Sequence, residues 1–274
     1  MAISDQQENL PFRIIAGDPR SSIIVHVPHA STVIPSWVRQ HILLSDEELQ
    51  YELSFMTDAL TDAIATRAAQ MSSVRPWLFV NGLSRLVVDP ERFPDASQEP
   101  MAAPEIGMGA VYTKTALGAA LRHSDPIHEA QLLETYFDPY ASELSQLVDD
   151  RLGALGTATL IDLHSFPKDE LPYERLHHAD AVRPALCVGV DDFHTPDELI
   201  EASREAFANL GESIVNSPFQ GAYVPLNKYR SDQRVESVMI EVRRDTYLGS
   251  DKELEELANM LAALLNRLSQ GPAS

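Results

Sequence analysis

Ile23-Ile24-Val25-His26-Val27-Pro28-His29, Leu160-Ile161-Asp162-Leu163-His164 and Val238-Met239-Ile240-Glu241 are short apolar runs that each finish on a residue type used by zinc chemistry. Buried strands of α/β proteins read as continuous apolar segments, and ligands gather in the crevice beyond their carboxyl ends. Polar, titratable groups at several such ends therefore point to one shared site. In all, strand-like runs lie near 22–27, 77–80, 86–89, 158–163, 185–190 and 237–242, with helically spaced stretches between several of them. That alternation predicts an α/β fold, a three-layer sandwich.

The plainest helix is the last. Leu254, Leu257, Met260, Leu261, Leu264, Leu265 and Leu268 recur at helical spacing behind Ser250 and Glu253, which are placed as a capping box. Another is expected to open at Thr195-Pro196-Asp197-Glu198, a cap followed by proline, and to run to Asn209-Leu210-Gly211. A long helix is expected over roughly 130–154, with Asp138-Pro139 as a point of interruption. Thr57-Asp58-Ala59-Leu60-Thr61-Asp62 reads as a helix opening with acids in its first turn, a plain alternative role for Asp58. The proline-bearing stretch 90–110 and the stretch 165–182 read as long loops covering a site.

A chain of 274 residues can bury a sizeable core, and with no convincing linker we read it as one domain spanning 1–274. Its 41 acidic and 21 basic residues give a net charge of -20, which disfavours attraction to nucleic acid and anionic membranes. No stretch is apolar for long enough to cross a bilayer, and Met1-Ala2-Ile3-Ser4-Asp5-Gln6-Gln7-Glu8 lacks the features of a secretory signal. The sole cysteine, Cys187, has no internal partner and reads as a core residue of a reduced, cytoplasmic protein. Oligomeric state is not legible. An anionic substrate would need local arginines in a cleft, for which Arg85 and Arg92 are candidates.

Zinc hydrolases use about three protein ligands and an open position, and histidines with one carboxylate are a common set. His29 and His164 each follow an apolar run and fit that need. His26 lies three residues before His29, so on an extended chain the two would face opposite ways. His29 is preferred because Pro28 ends the strand just before it. Asp162 would share a face with His164 and could orient a ligand, or be structural. Glu241, inside an apolar run, should face a cation or polar site, unless it pairs with Arg243. Beside histidine ligands it becomes the natural general base. For Arg85 and Arg92 the competing reading is a salt bridge to Asp89 or Glu91. Asn216-Ser217-Pro218-Phe219-Gln220-Gly221 reads as a tight turn, either lining a pocket through Asn216 or purely structural. His177, His178 and His194 lie in polar loops and read as solvated.

Taken in order, His26-Val27-Pro28-His29-Ala30-Ser31, Ser84-Arg85-Leu86-Val87-Val88-Asp89, Asp162-Leu163-His164-Ser165, Asn216-Ser217-Pro218-Phe219-Gln220-Gly221 and Glu241-Val242-Arg243-Arg244-Asp245 resemble the N-formylglutamate amidohydrolase family. The resemblance implies a zinc exopeptidase or carboxypeptidase-like fold, with a mixed central sheet flanked by helices, and a mononuclear zinc. It implies His29 and His164 as ligands, Asp58 as the intervening acidic ligand, Glu241 as the catalytic glutamate, and Arg85 and Arg92 near a small N-acyl amino acid substrate. Two departures stand out. Ala30-Ser31 replaces a more usual Ser-Gly, and Pro90-Glu91-Arg92 stands where Leu-Asn-Arg is common, adding a negative charge beside the expected carboxylate pocket. That opens the reading to other N-acyl amino acids. Another zinc deacylase, a small exopeptidase and a metal-free binding module are the rivals.

Overall fold

The computed structural model describes residues 11–98, 106–174 and 182–270. The lead-in Met1 to Glu8, parts of both long loops, and His177 and His178 lie outside the described residues. Among these residues the sheet has seven strands: β1 (Phe12–Ile15), β2 (Ile23–Val27), β3 (Trp77–Asn81), β4 (Ala158–Phe166), β5 (Leu186–Gly189), β6 (Ser213–Val215) and β7 (Val235–Arg243), in the order β1-β3-β2-β4-β7-β5-β6. Strands β3, β2, β4 and β7 run parallel, whereas β1 against β3 and β5 against β7 are antiparallel. The central four carry nearly unbroken apolar sequence because both their faces are covered.

Helices cover both faces. On one lie α3 (Thr61–Met71), α6 (Asp197–Ala206) and α7 (Asp251–Ser269), which share a core with Val25, Val27, Leu163 and Ile240. On the other, α5 (Asp138–Leu155) packs Tyr140, Leu144 and Val148 against Ile24, Phe79 and Leu160. The pattern that predicts α7 is the one that buries it: Leu254, Leu257, Leu261, Leu264 and Leu265 are inside, and Ser250 accepts a hydrogen bond from the Glu253 N–H. The short α1 (Ser36–Arg39) and α2 (Asp46–Met56) take part in two further apolar clusters, each shared with the connection that follows β3.

Several expectations are corrected. Residues 86–89 form a turn that runs into irregular loop, not a strand, because Ser84 and Asp89 draw the local backbone into loop hydrogen bonds with Val33 and Ala110. The helix expected to open at Thr57 starts at Thr61, leaving Asp58 in a connection that ends on Leu60 at φ 64°. Thr195 does not cap α6; its hydroxyl donates to the Ser237 carbonyl at 2.6 Å. The long helix is continuous from α4 (Pro126–Leu132) through a π-turn at Leu133–Phe137 into α5, and Pro139 falls just after that turn. His194 is buried rather than solvated: its Nδ1 meets the Val235 carbonyl at 2.7 Å and its Nε2 accepts from the Arg230 N–H. No helix among the described residues is long and apolar enough to cross a membrane. Cys187 is a core residue, its thiol pushed up to about 12 by burial.

Candidate metal centre and substrate cavity

Parallel strands β2, β4 and β7 bring their carboxyl ends to one edge, as the strand-end residues require. In β4, Asp162 and His164 share a face, and the ladder sets His164 opposite Glu241 of β7 and Asp162 opposite His26 of β2. His26 and His29 were expected to face opposite ways, yet both approach Glu91, at 3.5 and 3.7 Å. The period of two lapses because β2 ends at Val27 and the chain bends at His29. Asp58 arrives from the connection after α2, tied there by its N–H donating to the His29 carbonyl at 2.9 Å and its carbonyl accepting from the Thr61 hydroxyl at 2.8 Å.

His29, Asp58 and His164 thus come together, all buried, in a group able to hold a metal ion. Nδ1 of His29 is 3.3 Å from Nδ1 of His164, which is 3.0 Å from Asp58 Oδ2; His29 Nδ1 to Asp58 Oδ2 is 3.7 Å. A tetrahedral cation with ligand bonds of about 2.0–2.1 Å separates its ligand atoms by about 3.3–3.4 Å. The donors therefore fit such an ion in type and spacing. Each imidazole also presents its other nitrogen to carboxylates, as metal-bound histidines do. His29 Nε2–H donates to Asp89 Oδ1 at 2.9 Å. His164 Nε2 lies 3.1 Å from Asp162 and 3.2 Å from Glu91, close enough for ion pairing but without hydrogen-bond alignment.

Opposing charges set the protonation of these groups. Burial penalises the His164 imidazolium, but Glu91, Asp162 and Asp58 outweigh it and hold its pKa well above the ordinary value. Burial and Arg85 lower His29, while Asp89 and Asp58 raise it further, for a net rise. Burial would raise Asp58, Asp89 and Asp162, yet their histidine and arginine partners hold all of them below the carboxylate range. Glu241 is the exception: burial lifts its carboxyl to about 8, with His164 opposing and Asp58 reinforcing the shift. With imidazoles counted neutral and Glu241 protonated, Asp58, Asp89, Glu91 and Asp162 exceed Arg85, Arg92 and Arg244 by one charge, an excess that a bound cation would offset.

Of the residues expected near substrate, Arg85 and Arg92 line the cavity with Glu241. The competing salt bridge forms too: Arg85 grips Asp89 Oδ2 at 2.7 Å, and Arg92 is 4.0 Å from the same oxygen. Asn216 does not line the cavity. At φ 53° it holds its turn together, accepting from the N–H groups of Val190 and Gly221. Gly189 lets that turn lie close, since a Cβ there would collide with the Gly221 carbonyl. The pairing of Glu241 with Arg243 does not form; Arg243 binds Asp245 at 2.7 Å.

Among the residues that back the centre, Asp162 was expected to orient a ligand and Asp89 to pair with an arginine, whereas Tyr112, Tyr140 and Arg244 had no expected role. Asp89 joins His29, Arg85 and the Tyr112 hydroxyl, which donates at 2.6 Å. Arg244 donates to Asp58 Oδ1 at 3.1 Å and to the carbonyls of Phe55 and Ser165. His26 donates from Nδ1 to Asp162 at 2.8 Å and meets the Tyr140 hydroxyl at 2.5 Å. Asp89 did carry a signal, an acid closing the apolar run Leu86-Val87-Val88; Tyr112 and Tyr140 carried none.

A family model described as N-formylglutamate amidohydrolase matches residues 21–248. None of the curated proteins is a significant sequence match. Among solved structures the chain is similar to an N-formylglutamate amidohydrolase from Ralstonia eutropha JMP134, with a TM-score of 0.76 and 19% identity over 95% of this chain and 97% of that one. It is also similar to a gene product of Agrobacterium tumefaciens, with a TM-score of 0.72 and 18% identity over 97% of each chain.

Proposed function

The chain belongs to the N-formylglutamate amidohydrolase family, hydrolases acting on amide bonds, and from that premise we propose a zinc-dependent hydrolase of N-acyl amino acids of the N-formylglutamate type. The observation that carries the metal is the triad of donor atoms of His29, Asp58 and His164, with carboxylates behind both imidazoles. Zinc held there supplies positive charge that acidifies water to a pKa of about 7 and polarises the amide carbonyl.

The remaining work falls to side chains. A Glu241 carboxylate oxygen takes the proton of the attacking water and passes it to the amide nitrogen as the amine leaves. Its burial beside His164 suits it to holding that proton between the two steps. Asp89 keeps Nε2–H of His29 occupied, and Asp162 and Glu91 set negative charge beside Nε2 of His164, which leaves both Nδ1 atoms to the metal position. Arg244 fixes Asp58. Arg85 and Arg92 bind the substrate carboxylate from the cavity wall. The products are a carboxylic acid and an amino acid, formate and glutamate for the N-formylglutamate reaction.

Metal analysis of the purified protein, followed by assay of amide cleavage with zinc restored after chelation, tests the proposal. One zinc per chain and zinc-dependent release of amine are expected. Protein that neither contains nor recruits zinc, or that cleaves amides equally well under chelation, would overturn it.

A further inference from the structure

The cavity that meets the candidate centre is larger and more apolar than a formylated diacid needs. It encloses about 720 Å³, well inside the ~300–1,000 Å³ of sites that hold drug-sized ligands. Its apolar walls belong to separate clusters. Met56, Met108 and Leu171 come from the one built on α2, and Tyr223, Val224 and Tyr229 from the one built on α5.

Charge points the same way. Of the acids lining this cavity, Glu174 is paired with Arg183 and Asp149 with Lys228, but Glu91 is not matched so simply. Its Oε2 lies 3.2 Å from His164 Nε2 and 3.7 Å from His29 Nε2, and its Oε1, 3.5 Å from His26 Nδ1, is buried with no hydrogen-bond partner among the described residues. Arg85 is already bound to Asp89 and Arg244 to Asp58. One substrate carboxylate can be shared by Arg85 and Arg92; a second, brought near Glu91 on the same cavity wall, would meet a like charge in a poorly solvated space.

Resting on the amide-hydrolase reading, we propose that the substrate is an N-acyl amino acid with a single carboxylate and a bulky apolar side chain. Glu91 is the residue that turns a second carboxylate away, while the walls around Met108 and Tyr223 receive the apolar group.

The test compares kcat/KM of the zinc-loaded protein on N-formyl-L-phenylalanine, N-formyl-L-glutamine and N-formyl-L-glutamate. The glutamine compound separates charge from size. Phenylalanine should exceed glutamate by about 10–200-fold, with glutamine between them, and Glu91→Gln should narrow the glutamine-to-glutamate ratio about tenfold. Glutamate equal to or above phenylalanine in the unmodified protein overturns the inference and leaves the hydrolase reading intact. Hydrolysis of none of the compounds sinks the hydrolase reading instead. Calorimetric binding of the same compounds to the same protein then decides: tighter binding of phenylalanine than of glutamate supports the inference, and the reverse order, or no binding, overturns it.

Discussion

His164 sits where most of the site's interactions meet: Asp58 on Nδ1, Asp162 and Glu91 near Nε2, and Glu241 beside it across the ladder. Replacing it by alanine removes a ligand atom and leaves several buried carboxylates facing one another, so His164→Ala should lose both bound zinc and amide cleavage. Glu241→Gln keeps shape and removes only the basic oxygen. It should retain one zinc per chain while kcat falls about 10²–10⁴-fold, and a variant with unimpaired kcat would show that Glu241 is not the base. Asp89→Asn tests the support behind His29. Asparagine still accepts from Nε2–H but contributes no negative charge, so zinc affinity by chelator competition should weaken about 10–100-fold. A change of less than twofold would show that Asp89 serves only Arg85 and Tyr112.

At the scale of elements, the site depends on where helices and strands stop. Helix α2 carries a full capping box: the Ser45 hydroxyl accepts from the Glu48 N–H at 3.3 Å, and the Ser45 N–H donates to the Glu48 carboxylate at 2.8 Å. That helix delivers Met56 and, two residues later, Asp58. Ser45→Ala should destabilise by about 1 kcal/mol, read by denaturant melts, with zinc affinity little changed because Asp58 is held separately by the His29 carbonyl and Arg244. Strand β4 is more demanding, since a slip of one residue would turn Asp162 and His164 into the α7-side core and bring Ile161 and Leu163 to the cavity. In α7, Leu261 is fully buried in that core, and Leu261→Ala should cost about 2–5 kcal/mol. The strand ends and α7 were legible because apolar periodicity is local. The turn at 86–89 was not, because a short apolar run reads alike whether it pairs in a sheet or folds under a helix cluster.

Across the whole molecule, the clustered acids and histidines make stability depend on pH and on the metal. In metal-free protein the Glu241 carboxyl titrates at about 8 against an ordinary 4.5, so the stability from its protonated form is complete below about 4.5 and is lost as pH rises through 8. His29 and His164, raised from 6.5, have the same sign: their contribution is present below 6.5 and fades above it. The melting temperature under chelation should therefore fall between about pH 5 and 8.5, and fall less in Glu241→Gln. Zinc competes with these protons, so the stabilisation it gives should grow over the same range, reaching about 2.7 kcal/mol at a hundredfold excess over its Kd. A chelated protein whose melting temperature rises over that range would contradict the charge balance drawn for the site.

The sequence by itself determined the α/β class, the strand ends carrying His29, His164 and Glu241, and the amphipathic face of α7, because each follows from residue spacing within one segment. A family resemblance was needed to single out Asp58. Only the tertiary structure decided that Asp58, Asp89, Glu91 and Arg244 meet around those histidines, and that His26 turns to Asp162 and Tyr140 instead. These groups stand on the connections after α2, β3 and β7, and their meeting depends on contacts such as the Asp58 N–H bond to the His29 carbonyl. Chain closure of that kind has no periodicity to read; it is fixed by which cores pack together and which buried charges must find a partner.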